Sequence, residues 1–187
     1  MKSFFSFIFE VLKIVVVAVL IVLPIRYFLF QPFFVRGTSM EPNFQNFDYL
    51  IIDELSYRFR EPKRGEVVVF KYPQDSSSRF IKRIIGLPGE KIKIEEGKVF
   101  IEKEGELRIL EEPYLPESTK TSRDIETVLK GDEYFVLGDN RTFSSDSRRW
   151  GPLKRDKIVG RAFLRLWPLS CFAKIETPQY QLNFQYF

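Results

Sequence analysis

Histidine is missing from this 187-residue sequence, and cysteine occurs once. The first absence excludes a Ser-His-Asp triad, a histidine-based zinc site and any imidazole general base. The second excludes an internal disulfide and a cysteine cluster for a structural metal. Cys171, in the apolar context Leu169-Ser170-Cys171-Phe172, reads as a small hydrophobe. The chain also lacks an internal repeat and any long amphipathic helix beyond its N-terminal stretch. Arg141, Arg148, Arg149, Lys154, Arg155, Lys157 and Arg161 crowd one region of a chain with net charge +4. No recognition-helix or RNP-like pattern accompanies them, so nucleic acid is not an expected partner. They read as a solvated face, or as a basic surface for anionic lipid headgroups.

The N-terminus is where apolar residues concentrate. Residues 11–30 would form a helix of about 30 Å, the thickness of a bilayer core. Lys13 and Arg26 lie near the two ends, where long side chains can snorkel. Lys2 plus an apolar run also resembles a signal peptide, but no small-x-small cleavage site follows. The expected organisation is therefore an N-terminus at 1–10, an uncleaved transmembrane anchor at 11–30 and a globular domain at 31–187. Charge does not orient the anchor, since Lys2 and Lys13 on one side face Arg26 and Arg36 on the other.

Beyond the anchor the periodicity becomes strand-like. Short β-branched or aromatic runs recur at 48–52, 66–70, 80–85, 91–94, 98–101, 133–137 and 158–166, bounded by Pro, Gly and Asp/Ser clusters. The expected fold is mostly β: an antiparallel core with a small β insertion at about 95–128, preceded by one N-terminal transmembrane helix. The tail, 177–187, alternates aromatics with Gln and Asn, as an edge strand or a membrane-surface strip would.

Arg36-Gly37-Thr38-Ser39-Met40-Glu41-Pro42 follows the anchor directly. An extended chain covers at most about 3.5 Å per residue, which keeps Ser39 within roughly 17 Å of Phe34. A nucleophile here would work at the membrane surface. Thr38-Ser39-Met40-Glu41 also has capping-box spacing, so either hydroxyl can simply start a helical turn. An active serine without histidine needs Lys, Asp or Glu as its base. A lysine qualifies only if apolar surroundings lower its pKa from about 10.4 toward 7–8. Strand alternation puts Phe80, Lys82 and Ile84 on one face, bracketing Lys82 with apolar neighbours. Lys91 and Lys93 share a face only with each other, and Lys71 sits at a strand end. Lys82 is the candidate base, unless it lies at an edge and snorkels to water.

A third stretch, residues 138–151, is a dense polar loop directly after a strand. Asp146 and Arg148 are two apart and can pair, with Ser144 and Ser147 nearby. The spacing is not that of an EF-hand.

In this order these stretches resemble the bacterial type I signal peptidases, a Ser-Lys membrane protease family. The likeness rests on Ser39-Met40-x-Pro42 after the anchor, Arg64-Gly65-Glu66-Val67-Val68 and Lys82-Arg83-x-x-Gly86-x-Pro88-Gly89-Glu90. It continues through Gly138-Asp139-Asn140-Arg141, Ser144-x-Asp146-Ser147-Arg148-x-Trp150-Gly151, Gly160-Arg161-Ala162 and Trp167-Pro168. The resemblance implies Ser39 as nucleophile, Lys82 as general base, Ser144 orienting the lysine head, and Asp146 with Arg148 shaping the loop. It implies shallow substrate pockets lined by Phe33, Val35, Met40 and Ile81, and the Ser39 backbone N–H as an oxyanion donor. Some members add a hydroxyl two residues before the nucleophile, where this chain has Gly37.

The implied activity is a serine endopeptidase that removes N-terminal signal peptides from exported preproteins after small residues. Its partners would be preproteins and membrane lipids, with no metal or cofactor. The implied location is the cytoplasmic membrane, with one span and the catalytic domain on the outer face. The competing reading is a non-enzymatic, membrane-tethered β domain that binds an exported partner.

Overall fold

The computed structural model describes residues 2–28, 30–178, 180 and 182–184, with backbone alone at 2–3, 21–28, 30 and 182–184. The chain opens on helix α1 (Lys2–Phe28). This helix begins well before the expected 11–30 stretch and ends short of it, because Phe30 already belongs to a strand. Phe4, Phe5, Phe7, Phe9, Leu12, Ile14 and Leu20 are all exposed, so α1 shows apolar side chains on every side. Among the described residues no helix is long and apolar enough to cross a membrane.

The rest is mostly β. In chain order come β1 (Phe30–Phe34), β2 (Tyr49–Asp53), the short helix α2 (Ser56–Phe59), β3 (Val67–Tyr72) and β4 (Asp75–Gly86). Next are β5 (Lys91–Glu95), β6 (Lys98–Lys103), β7 (Glu106–Leu110), β8 (Ile125–Val128) and β9 (Glu133–Leu137). The short helix α3 (Ser147–Trp150), β10 (Leu153–Lys154), β11 (Ile158–Trp167), β12 (Ala173–Lys174) and β13 (Leu182–Phe184) complete the chain. All described pairings are antiparallel. One sheet runs β1-β2-β11-β3-β4-β9-β10 with β12 on β11, and a second runs β13-β7-β6-β5-β8. The tail is thus an edge strand of the second sheet, which starts at Lys91.

Strand period explains the layering of the core. Val67 and Val69 enter a cluster with Val35, Met40, Phe44, Leu50, Ile52 and Ile81. Val68 and Phe70, one residue out of phase, enter another with Tyr57, Ile84, Tyr134 and Val136. Successive side chains of β3 therefore serve opposite faces, and both faces are buried. The second sheet has its own cluster around Ile92, Ile94, Val99, Ile101 and Leu110, joined by Ile85, Phe135 and Leu137 from the first. Cys171 departs from the buried position its context suggests and is exposed.

The first sheet coils back on itself. Three strands separate β1 from β4 in its order, yet Arg79 of β4 donates to the Gln31 side chain of β1 at 2.8 Å. This curl brings the turn after β1 over the middle of β4. β9 pairs with β4 only from Arg83 onward, so one flank of the strand lies open at Lys82.

Candidate active site

Ser39 sits on the turn between β1 and β2. Gly37 enters that turn at φ +87°, a left-handed conformation that suits glycine, and donates its N–H to Asn46 Oδ1 at 2.9 Å. Phe44 donates back to the Met40 carbonyl at 2.9 Å. The loop after β9 grips the same turn: Asn140 N–H donates to the Ser39 carbonyl and Asn140 Nδ2 to the Thr38 carbonyl, each at 3.1 Å. The capping-box alternative does not describe this turn, because neither hydroxyl is bonded to a helix start. Among the described residues no acceptor takes the Ser39 N–H.

Lys82 does not snorkel. It is 3% exposed, its chain passes the Phe80 ring, and Nζ lies 2.7 Å from Ser39 Oγ and 2.7 Å from the Ile81 carbonyl. Removal from water pushes its pKa down to about 8, against the pull of Asp146 and Asp139, which favour the charged form. The amine is therefore partly neutral under ordinary conditions and touches a hydroxyl. That arrangement can deprotonate a serine.

Around the dyad the 138–148 loop is a buried network. Asp146 Oδ1 accepts from Arg148 Nε at 2.8 Å and Oδ2 from Nη2 at 2.7 Å, a bidentate pair. Oδ2 also takes the Gly138 N–H at 3.1 Å. Burial alone would raise the Asp146 pKa, but Arg148 holds the carboxyl below its ordinary value. Arg148 Nη1 donates further to the Arg141 carbonyl at 2.7 Å and to Ser122. Ser144 lies beside the dyad rather than bonded to it. Its Oγ is buried without a hydrogen-bond partner, close enough to Asp146 to favour the carboxylate. A Cβ placed on Gly138 would meet Ser144 Oγ at 2.2 Å and the Ser39 carbonyl oxygen at 2.4 Å. Only glycine lets these three segments approach so closely.

An open groove leads to Ser39 and Lys82, walled by Phe33, Phe34, Phe80 and Ile81, with Arg36, Arg79 and Ser145 at its margin. Phe33 and Ile81 line it. Val35 and Met40 do not: at 1% and 0% exposure they belong to the core beneath. Apolar residues next to a nucleophile look alike in sequence whether they face substrate or the interior. The sequence motifs include Gly138, Asp139, Asn140 and Arg83 but assign them no role, although Arg83 directly follows the candidate base. Among the described residues no cluster of three or more Cys, Asp or Glu side chains is placed to hold a metal ion.

A family model described as signal peptidase, peptidase S26, matches residues 8–167. The chain is 41% identical over 167 residues to the probable signal peptidase I-2 of Synechocystis, covering 86% of this chain and 73% of that protein. It is 34% identical over 168 residues to signal peptidase I T of Bacillus subtilis, with 84% of each chain covered. A crystal structure of a signal peptidase I from Enterococcus faecalis V583 superposes with a TM-score of 0.46 at 28% identity, covering 55% of this chain and 97% of that one.

Proposed function

The chain belongs to the S26 family of signal peptidases, and from that premise we propose that it cleaves signal peptides from exported preproteins with Ser39 as nucleophile and Lys82 as general base. The observation that carries this reading is the 2.7 Å contact between Lys82 Nζ and Ser39 Oγ, made by a lysine that burial has brought down to about 8.

Once neutral, the amine accepts the Ser39 proton and the oxygen attacks the peptide carbonyl that follows a small residue. The groove walled by Phe33 and Ile81 is open and apolar at its walls, which suits small side chains. The oxyanion that forms meets the free Ser39 N–H, the donor this turn presents. The Lys82 ammonium then returns its proton to the departing amine. In the second half the same lysine takes a proton from water, which attacks the ester carbonyl. The lysine then returns that proton to Ser39 Oγ as the C–O bond breaks and the signal peptide is released. Asn140 holds the nucleophile turn through both halves, and Asp146 with Arg148 fixes the loop behind the lysine.

Anchoring in the cytoplasmic membrane, with the β body on the outer face, is part of the same proposal. Its support is α1, whose apolar side chains from Phe4 to Leu20 are exposed and suit lipid. The exit of α1 into β1 would keep Ser39 near the surface where signal peptides lie.

Cleavage of a model signal peptide in detergent tests the reading. We expect a cut after a small residue, and a loss of roughly a thousandfold or more in both Ser39→Ala and Lys82→Met, with unchanged circular dichroism. Undiminished activity in Lys82→Met would remove the general base from the scheme.

A further inference from the structure

A second pocket, of about 390 Å³, opens on the other side of the 142–149 loop from the groove. The loop alternates between them: Ser145 lines the groove and Ser144 lines the pocket. Ser144 also crowds the same point beside Gly138 as the Ser39 carbonyl, so the pocket adjoins the nucleophile turn. Ser122, Thr142 and Arg148 complete its walls with Arg123 and Arg149.

Most buried or half-buried arginines of the body are neutralised, whereas two of the arginines at this pocket are not. Arg83, Arg141, Arg148, Arg155 and Arg161 are each paired with a carboxylate. Arg148, though part of the pocket, is neutralised by Asp146, which accepts from its Nε and Nη2. Arg123 and Arg149 are exposed, and among the described residues no carboxylate lies within ion-pair distance of either. Ser144 Oγ, 7% exposed, makes no hydrogen bond of ordinary geometry, though it lies close enough to the Asp146 carboxylate to favour its charged form. Two unneutralised guanidiniums over hydroxyls are a setting for a carboxylate, which accepts from both kinds of donor.

We propose that this pocket receives an acidic side chain of the substrate, in the first few residues after the bond that is cut. The inference rests on the peptidase reading above. With the acyl half of the substrate in the apolar groove, the proposal places the departing half along the 142–149 loop, where Ser145 lines the groove and Ser144 the pocket. A lipid phosphate is the competing occupant. The pocket's position beside Ser39 favours the substrate's own chain, because each turnover passes it.

The test uses the full chain in detergent and three signal-peptide substrates that differ only in the early mature segment, carrying Asp, Asn or Lys. Wild type should cleave the Asp substrate with a kcat/KM roughly three- to tenfold above the Lys substrate, a gap that narrows at high salt. In an Arg123→Glu/Arg149→Glu variant, checked for fold by its thermal transition, the order should reverse. The same Asp-to-Lys ratio in wild type and variant overturns the proposal while leaving the peptidase reading intact. Failure of wild type to cut all three overturns both. A charge effect that appears only with anionic phospholipid vesicles assigns the pocket to headgroups and also overturns it.

Discussion

The Asp139 carboxylate takes two bonds from the Arg83 guanidinium, from Nε at 2.8 Å and Nη2 at 2.6 Å, with both side chains buried. Lys82 and Arg83 are neighbours on β4 with opposite treatment: the arginine has a full counter-charge and the lysine has none in contact. One position keeps its charge and the next is pressed to give it up. Asn43 Nδ2 also donates to Asp139 at 2.9 Å, tying the nucleophile turn to the pair. Asp139→Asn leaves a buried guanidinium without its partner, and should cost about 3–5 kcal/mol. Urea unfolding measures this, and an unchanged midpoint would count against the pair as a structural tie.

Lys82 gives a pH dependence whose sign is fixed. Activity should rise as pH passes through about 8, where the amine becomes neutral. Stability follows the same group. Its folded pKa lies below the unfolded value of 10.5, so folding carries the full burden of a buried charge below about 8 and sheds it between there and 10.5. Lys82→Met should then be inactive yet more stable by roughly 2–3 kcal/mol at pH 7, with the advantage shrinking toward pH 10. Thermal unfolding of both proteins across that range decides it; a destabilised Lys82→Met at pH 7 contradicts the account.

Gly138→Ala places a methyl group against Ser144 Oγ and the Ser39 carbonyl. The first can swing away; the second is backbone and cannot without moving the nucleophile. We expect about 1–3 kcal/mol of destabilisation and a disproportionate fall in kcat. Adding Ser144→Ala should recover only part of either. Complete recovery would mean that the contact with Ser39 is not the limiting one.

At the acid end Asp146 sets the direction. Burial pushes its folded pKa up, but Arg148, the Gly138 N–H and Ser144 together bring it below the ordinary value. The stability it contributes is present above the unfolded pKa of 3.8 and is lost as pH falls through the folded one. Asp146→Asn should be markedly less stable than wild type at pH 7, and the two transitions should converge toward pH 2. A constant gap down to that pH would show that the carboxylate charge is not what matters.

The dyad was half legible in the sequence. Alternation around Phe80, Lys82 and Ile84 identifies a lysine bracketed by apolar neighbours, and Lys82 is buried. The partnership with Ser39 spans 43 positions and depends on the curl of a sheet whose order places β11 between β2 and β3; short-range pattern carries no trace of that. The same limit explains the loop at 138–151. Its pairing of Asp146 with Arg148 is local and readable, whereas Glu112 and Thr121, which hold Arg141, come from a distant segment. In the second sheet β7 was hidden because Glu106–Leu110 is short, lies in a Glu- and Lys-rich stretch and keeps most of its side chains partly exposed.

The last described strand closes the far side of that sheet. β13 lies along β7 from Leu182 to Phe184, occupying backbone donors and acceptors that would otherwise offer a template to any passing chain. Shortening the protein before residue 182 would bare this template. The damage would surface as clumping between molecules, with the chemistry at Ser39 untouched in each of them.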